Sequence, residues 1–337
     1  MKRYFSALLF MAVSIVFLPA VPVFFSKGAE AVPEIVSDVK KNESKTVSSY
    51  TGEPYKVLDI STGELIEVDE KDYVIGAVCA EMPATFENDA LKAQAVAAHT
   101  YAERQRLRER SDPTPELCGA DFSNDTSKYQ GYFTKNQAMQ YYGDNFDVYY
   151  DKIADAVNDV LPYIITYGDE PIISAFHSMS SGKTESAENA WGTAIDYLIP
   201  VDSSYDTSAP KYLEEVRYRK EELRQILAEK FSGIVLSEDF TSWIKINTVS
   251  DSGTVLSAMV GDFKVSGNDI REALGLRSAC FEINYDGETA VITTKGFGHG
   301  VGMSQYGAND MAKKGYTYDQ ILKKYYTGIE LSAIDDV

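Results

Sequence analysis

Cysteine, histidine and positive charge are all scarce, and each shortage closes off a class of function. Three cysteines, Cys79, Cys118 and Cys280, lie far apart in 337 residues with no CxxC among them. The chain therefore signals neither a zinc ribbon nor a disulfide framework, and leaves room for one disulfide and one thiol. Cys79, inside an apolar helical run, reads as a small core residue. Three histidines, none in an HExxH pattern, leave a metal-dependent hydrolase built on His177 and His299 without a clustered ligand set. Thirty-two Lys and Arg against 51 Asp and Glu give a formal net charge of -19. That is the wrong sign for a sequence-independent grip on nucleic acid, which rests on cations neutralising phosphates. The one dense glycine cluster, GFGHGVGMSQYGA at 296–308, lacks the Lys-Ser/Thr ending of a phosphate-cradling Walker loop. No internal repeat is visible.

What is present is a globular composition, 44% hydrophobic, behind an unusual N-terminus. Lys2 and Arg3 precede an uncharged, mostly apolar run over 4–25, long enough for a bilayer, which takes about 20 residues. A retained membrane anchor over 1–28 is expected, basic end in the cytoplasm and the remainder exported. Ala29-Glu30-Ala31, with Pro19 and Pro22 interrupting the run, keeps a cleaved signal as the alternative. Residues 29–50 are polar and read as a linker.

Beyond it the pattern predicts an α+β protein. A strand pair, YKVLDI and ELIEV, is followed by two helices, the second long, over 90–110, and packed on a sheet. Residues 111–150 are loop-like and rich in tyrosine; Tyr129, Tyr132, Tyr141 and Tyr142 suit either stacking on sugar rings or capping a small core. A helix at 151–160 and strands YIITY and ISAFHS come next. The division expected is a catalytic body of 51–201 and 287–337, with 202–286 as a β-rich lobe or insertion carrying helices at 220–231 and 268–274.

The carboxylate that stands out is Glu81. Tyr73, Val74, Ala77 and Val78 recur at helical spacing before it, so a helix would put Glu81 on its buried face, and Pro83 ends that helix just beyond. Asn88 is the expected N-cap of the next helix, with Asp89 in its first turn. A carboxyl against the apolar wall of Val74, Val78 and Met82 has its pKa raised by desolvation, as a general acid near neutral pH requires. Elsewhere the loop FHSMSSGKTESAENAWG, over 176–192, brings small hydroxyl residues and glycines together. His177 at its start reads most simply as a hydrogen-bonded structural residue.

Four segments, EMPATFENDALKAQAVAAHTY, FHSMSSGKTESAENAWG, REALGLRSACFEI and GHGVGMSQYGA, in this order resemble the stage II sporulation protein D family, from about Tyr55 to Leu331. The resemblance implies a membrane-anchored lytic transglycosylase that cleaves peptide-stripped peptidoglycan glycan strands during forespore engulfment. Glu81, in the EMP motif, would be its catalytic acid. It also implies two partners, an amidase that strips the peptides and a small membrane protein that recruits both, and no cofactor. The substrate-binding set taken with it is Lys92, Gln94 and Tyr101, then His177, Ser180, Gly182 and Thr184, then His299, Gly300, Ser304, Gln305 and Tyr306. Related domains in amidase enhancers leave a non-catalytic glycan-binding module as the alternative. Three departures from the family pattern stand out. Cys118 stands without the second Cys and the His of members that carry structural zinc, so no zinc is expected, since such a site wants four ligands. His99 replaces a usual Arg. Met179 and Ser181 replace commoner Thr and Gly.

Overall fold

The computed structural model describes residues 52–334, and their architecture is α+β. The expected anchor and linker, 1–50, lie outside the described residues. No helix among the described residues is long and apolar enough to cross a membrane.

The body begins with a hairpin, β1 (Tyr55–Asp59) and β2 (Glu64–Val68), which pairs Tyr55 with Val68. Helix α1 (Glu70–Glu81) follows, capped by Asp69, whose carboxylate accepts the Lys71 and Asp72 amides. It stops at Met82, already extended at φ -126 and ψ 136, because Pro83 disfavours the helical conformation before it. Helix α2 (Asn88–Ser111) starts one residue earlier than its sequence suggests. Glu87, not Asn88, is the cap, and no side chain of its own closes it. Distant groups take over: Asn309 Oδ1 accepts the Glu87 amide at 2.9 Å, and Asp89 accepts the Tyr318 amide at 3.0 Å.

Alanines explain why α2 is central. Ala90, Ala93, Ala95, Ala97, Ala98 and Ala102 are all buried, and side chains this small let neighbouring elements approach from several sides. Around it come β3 (Phe122–Ser123), parallel to β1; α3 (Lys135–Tyr142); α4 (Phe146–Val160); and a hairpin of β4 (Tyr163–Tyr167) and β5 (Glu170–Pro171). The hydroxyl of Thr100 on α2 ties the layers by accepting the Ile165 amide of β4 at 2.9 Å. Helix α3 falls inside the stretch read as loop. Its start is a reciprocal capping box between Thr134 and Gln137, a signal hidden among the surrounding Gly and Tyr.

β6 (Phe176–His177) and a short helix α5 (Ala187–Trp191) lead to the lobe. There β7 (Leu213–Arg219), α6 (Lys220–Lys230), β8 (Ile244–Val249), β9 (Val255–Val260), β10 (Phe263–Val265), α7 (Gly267–Leu274), β11 (Phe281–Asp286) and β12 (Thr289–Lys295) follow. They form two antiparallel sheets, β10-β9-β8 and β11-β12-β7, around a separate core that includes Trp243, Leu223, Val260, Ile270 and Ile292. β12 pairs with β7 and so belongs to this core, while Ser203 and Asp206 bond back into the body. The chain then returns through β13 (Met303–Ser304), α8 (Gln305–Lys313) and α9 (Tyr318–Tyr325) to β14 (Glu330–Ala333), which pairs with β4.

One pairing matters most for function. β13 runs parallel to β6, with Met303 opposite Phe176 and Ser304 opposite His177, so two motifs far apart in sequence become neighbours.

Candidate active site

Glu81 is the last residue of α1, where the chain turns away and its side chain leaves the helix. It is half-buried, and burial alone pushes its carboxyl up to about 7. Desolvation penalises the charged form, and among the described residues no ion pair or second carboxylate acts on it. Val74 and Val78 on α1 and Met82 just beyond it are buried. Gln305 holds this end in place: its side-chain amide donates to the Glu81 carbonyl at 2.9 Å and to Gln94 Oε1 at 3.3 Å. Tyr306, next in sequence, meets Phe86 edge-on at 5.1 Å. Gln94, Gln305 and Tyr306 are thus brought to Glu81 from two ends of the chain.

The second group of candidates is organised by a residue the sequence reading missed. Asp206, fully buried, accepts the Ser180 amide at 2.7 Å, the Ser180 hydroxyl at 2.6 Å, the Ser203 hydroxyl at 3.0 Å and, on its other oxygen, the Ser304 hydroxyl at 2.6 Å. The Ser180 and Ser304 hydroxyls are committed to this carboxylate, and what they present toward a ligand is the loop they hold. Ser304 also caps α8 by accepting the Gly307 amide. Gly182 donates its amide to Ser180 Oγ at 3.1 Å, and the buried Thr184 hydroxyl accepts the Val201 amide at 2.8 Å. The only advance signal for Asp206 is its spacing three residues after Ser203.

His177 and His299 sit side by side, ring centroids 5.8 Å apart, with Trp191 edge-on to His299 at 5.5 Å. His299 Nδ1 accepts the Val301 amide at 3.0 Å, and burial with the adjacent His177 lowers its pKa to about 3. It is a neutral imidazole at physiological pH. Burial likewise lowers the pKa of His177, whose Nδ1 lies 3.0 Å from the Val301 carbonyl. Gly298, at φ +108, makes the approach feasible, since a Cβ there would stand 2.8 Å from His177 Cβ. The Gly300 carbonyl accepts the Glu185 amide at 2.8 Å. A cavity of about 120 Å³ separates these loops from the lobe; Lys183, Glu185, His299, Gly300, Ser266 and Cys280 line it, and Glu81 does not.

Two candidates are engaged in other contacts. Lys92 forms an ion pair with Asp159 at 2.7 Å. Tyr101 Oη accepts the Gln130 amide at 3.2 Å and the Gln105 side chain at 3.3 Å. In the aromatic stretch Tyr132 packs on the buried Tyr73 at 5.1 Å, the core-capping alternative, and Tyr141 is exposed.

All three thiols are free, Cys79 and Cys280 buried and Cys118 exposed. None of the described groups of possible metal ligands includes Cys118. The described group whose donor atoms lie close enough is buried Glu70, His99 and Glu103. His99 Nε2 is 3.1 Å from Glu70 Oε1 and 3.8 Å from Glu103 Oε1. Glu103 already receives the Arg106 guanidinium and the Tyr55 hydroxyl, and a guanidinium there opposes a divalent cation. The group is better matched to charge pairing than to a metal.

A family model described as stage II sporulation protein matches residues 60–167. The stage II sporulation protein D of Bacillus subtilis (strain 168) is 38% identical over 310 residues, 91% of this chain and 88% of that one. The chain belongs to the stage II sporulation protein D family. Its counterpart of that name from Bacillus amyloliquefaciens is 41% identical over 265 residues, 79% of this chain and 74% of that one. More distant is an amidase enhancer of Bacillus subtilis (strain 168), 26% identical over 309 residues, 77% of this chain but 40% of that protein. As a member of the family the protein has a place in sporulation.

Proposed function

We propose that this sporulation protein is a peptidoglycan lytic transglycosylase, acting on peptide-stripped glycan strands with Glu81 as acid and then base. The observation that carries the reading is a carboxyl held near pKa 7 by burial, with no second carboxylate acting on it. Retaining and inverting glycosidases use two. One suffices when the substrate supplies its own nucleophile. Protonated Glu81 gives its proton to the oxygen joining C1 of N-acetylmuramic acid to C4 of N-acetylglucosamine, and the C1–O bond breaks to an oxocarbenium-like state. The resulting carboxylate takes the proton of the C6 hydroxyl as O6 bonds to C1, closing a 1,6-anhydro ring. Glu81 ends protonated, and no water is consumed.

The neutral imidazoles, the aromatic ring of Tyr306 and the amides around Gln305 suit an uncharged, hydroxyl- and acetamido-rich ligand. The exported topology, the membrane anchor in 1–28, the amidase and the small membrane protein belong to the same reading. Purified protein incubated with denuded glycan strands should release products with anhydro ends, and Glu81→Gln should release none. Reducing ends throughout, or full activity in Glu81→Gln, would sink the assignment. Strand binding with no new ends would favour a glycan-binding module, the reading suggested by the amidase enhancer.

A further inference from the structure

Residues 130–133, between β3 and α3, lie across α1 as a strap, and their seat on the helix depends on a missing Cβ. At Gly76 a Cβ would stand 2.2 Å from the Phe133 carbonyl oxygen, while the Phe133 amide donates to the Gly76 carbonyl at 3.0 Å. Glycine in mid-helix is less favourable than alanine, so helix propensity argues against Gly76 and the strap argues for it. The other end is tied by the Gln130 amide, which donates to Tyr101 Oη at 3.2 Å. Between the two anchors lies Gly131, where a Cβ would come 3.9 Å from Glu81 Oε1 and 3.4 Å from Thr126 Cγ2. The strap therefore passes the Glu81 carboxylate at a residue with no side chain.

We propose that this strap is a positioning element for Glu81: seated on Gly76 and tied to Tyr101, it keeps water from the carboxylate, so that both residues act on the acid through the strap. The inference rests on Glu81 being the working acid. Around the strap, burial raises the pKa of Tyr73 and Cys79 on α1, Tyr101 on α2, Tyr132 on the strap and Tyr306 on α8, so these stay neutral. Lys152 on α4 donates to the Ala84 and Phe86 carbonyls in the turn after Glu81. Desolvation is the cause of the Glu81 shift, which makes water exclusion the lever on it.

The test does not need catalysis. Full-length protein carrying glutamate labelled with ¹³C at the side-chain carboxyl is titrated by NMR, the Glu81 signal being the one lost in Glu81→Gln. The parent should titrate at about 7. Gly76→Ala should lower that midpoint by about one unit or more as the displaced strap admits water, and Tyr101→Phe by less. If Gly76→Ala does not fold, Tyr101→Phe decides. An unchanged midpoint in the folded variants overturns the proposal. Strands left intact by a parent whose Glu81 titrates as expected would remove the enzymatic reading and leave the strap standing.

Discussion

The side-chain amide of Gln305 donates to the main-chain carbonyl of Glu81 across 2.9 Å of space and 224 residues of sequence. The C-terminal glycine-rich motif thus holds the end of α1 on which the proposed acid sits, and passes the same amide to Gln94 of α2. Removing it leaves a helix-terminal carbonyl and a buried Gln94 oxygen unpaired. Gln305→Ala should therefore cost about 1–3 kcal/mol, read as a lower denaturation midpoint. Turnover on glycan strands should fall more than binding does, because the loss loosens the acid. A variant with parental turnover and lowered stability would mean that the bond serves the fold alone.

The raised pKa of Glu81 also makes a prediction about stability that is independent of substrate. In the unfolded chain this carboxyl titrates near its ordinary value, about 4.3, and in the folded protein at about 7. Between these values the folded state binds more protons, so stability falls as pH rises through the interval and levels off above 7. Glu81→Gln abolishes this loss. The variant should nearly match the parent at pH 4 and exceed it at pH 8 by on the order of 3–4 kcal/mol, while being inactive. Equal stability at both pH values would show that burial does not tax the charged form.

The end of α1 at Glu81 was legible in the sequence because helical spacing and one proline act locally; both are visible within a dozen residues. Asp206 was not, because what makes it important is the arrival of Ser180 and Ser304 from distant loops. Helix α3 escaped notice for a related reason: tyrosines and glycines dominate its surroundings, and its capping box is the one local cue. The long helix was evident from its alanines. Its cap was misplaced because Asn309 and Tyr318, more than 200 residues away, complete that end.

Asp206 accepts four hydrogen bonds, from the Ser180 amide and hydroxyl and from the Ser203 and Ser304 hydroxyls. Asp206→Ala leaves those hydroxyls without an acceptor and should cost at least about 3 kcal/mol. Ser304→Ala removes one donor and an α8 cap, and should cost about 1–2 kcal/mol. Glycan affinity measured on the folded fraction of Ser304→Ala should stay close to parental. A large loss of affinity with unchanged melting would return the Ser304 hydroxyl to the substrate.

His99 tests whether the buried acidic group is built for charge pairing or for a metal. Glu70 and Glu103 are both buried, and Arg106 supplies a fixed positive charge to Glu103. His99 Nε2 lies 3.1 Å from Glu70 Oε1. His99→Leu keeps the volume but takes a polar neighbour from buried Glu70, and should lower the melting temperature. A Glu70→Gln, His99→Leu double variant should recover part of that loss, since the buried carboxylate is then gone. Zinc added to the parent should leave its melting temperature unchanged, because a divalent ion at Glu103 would meet the guanidinium. A rise in melting temperature with zinc that disappears in His99→Leu would instead make this triad a metal site.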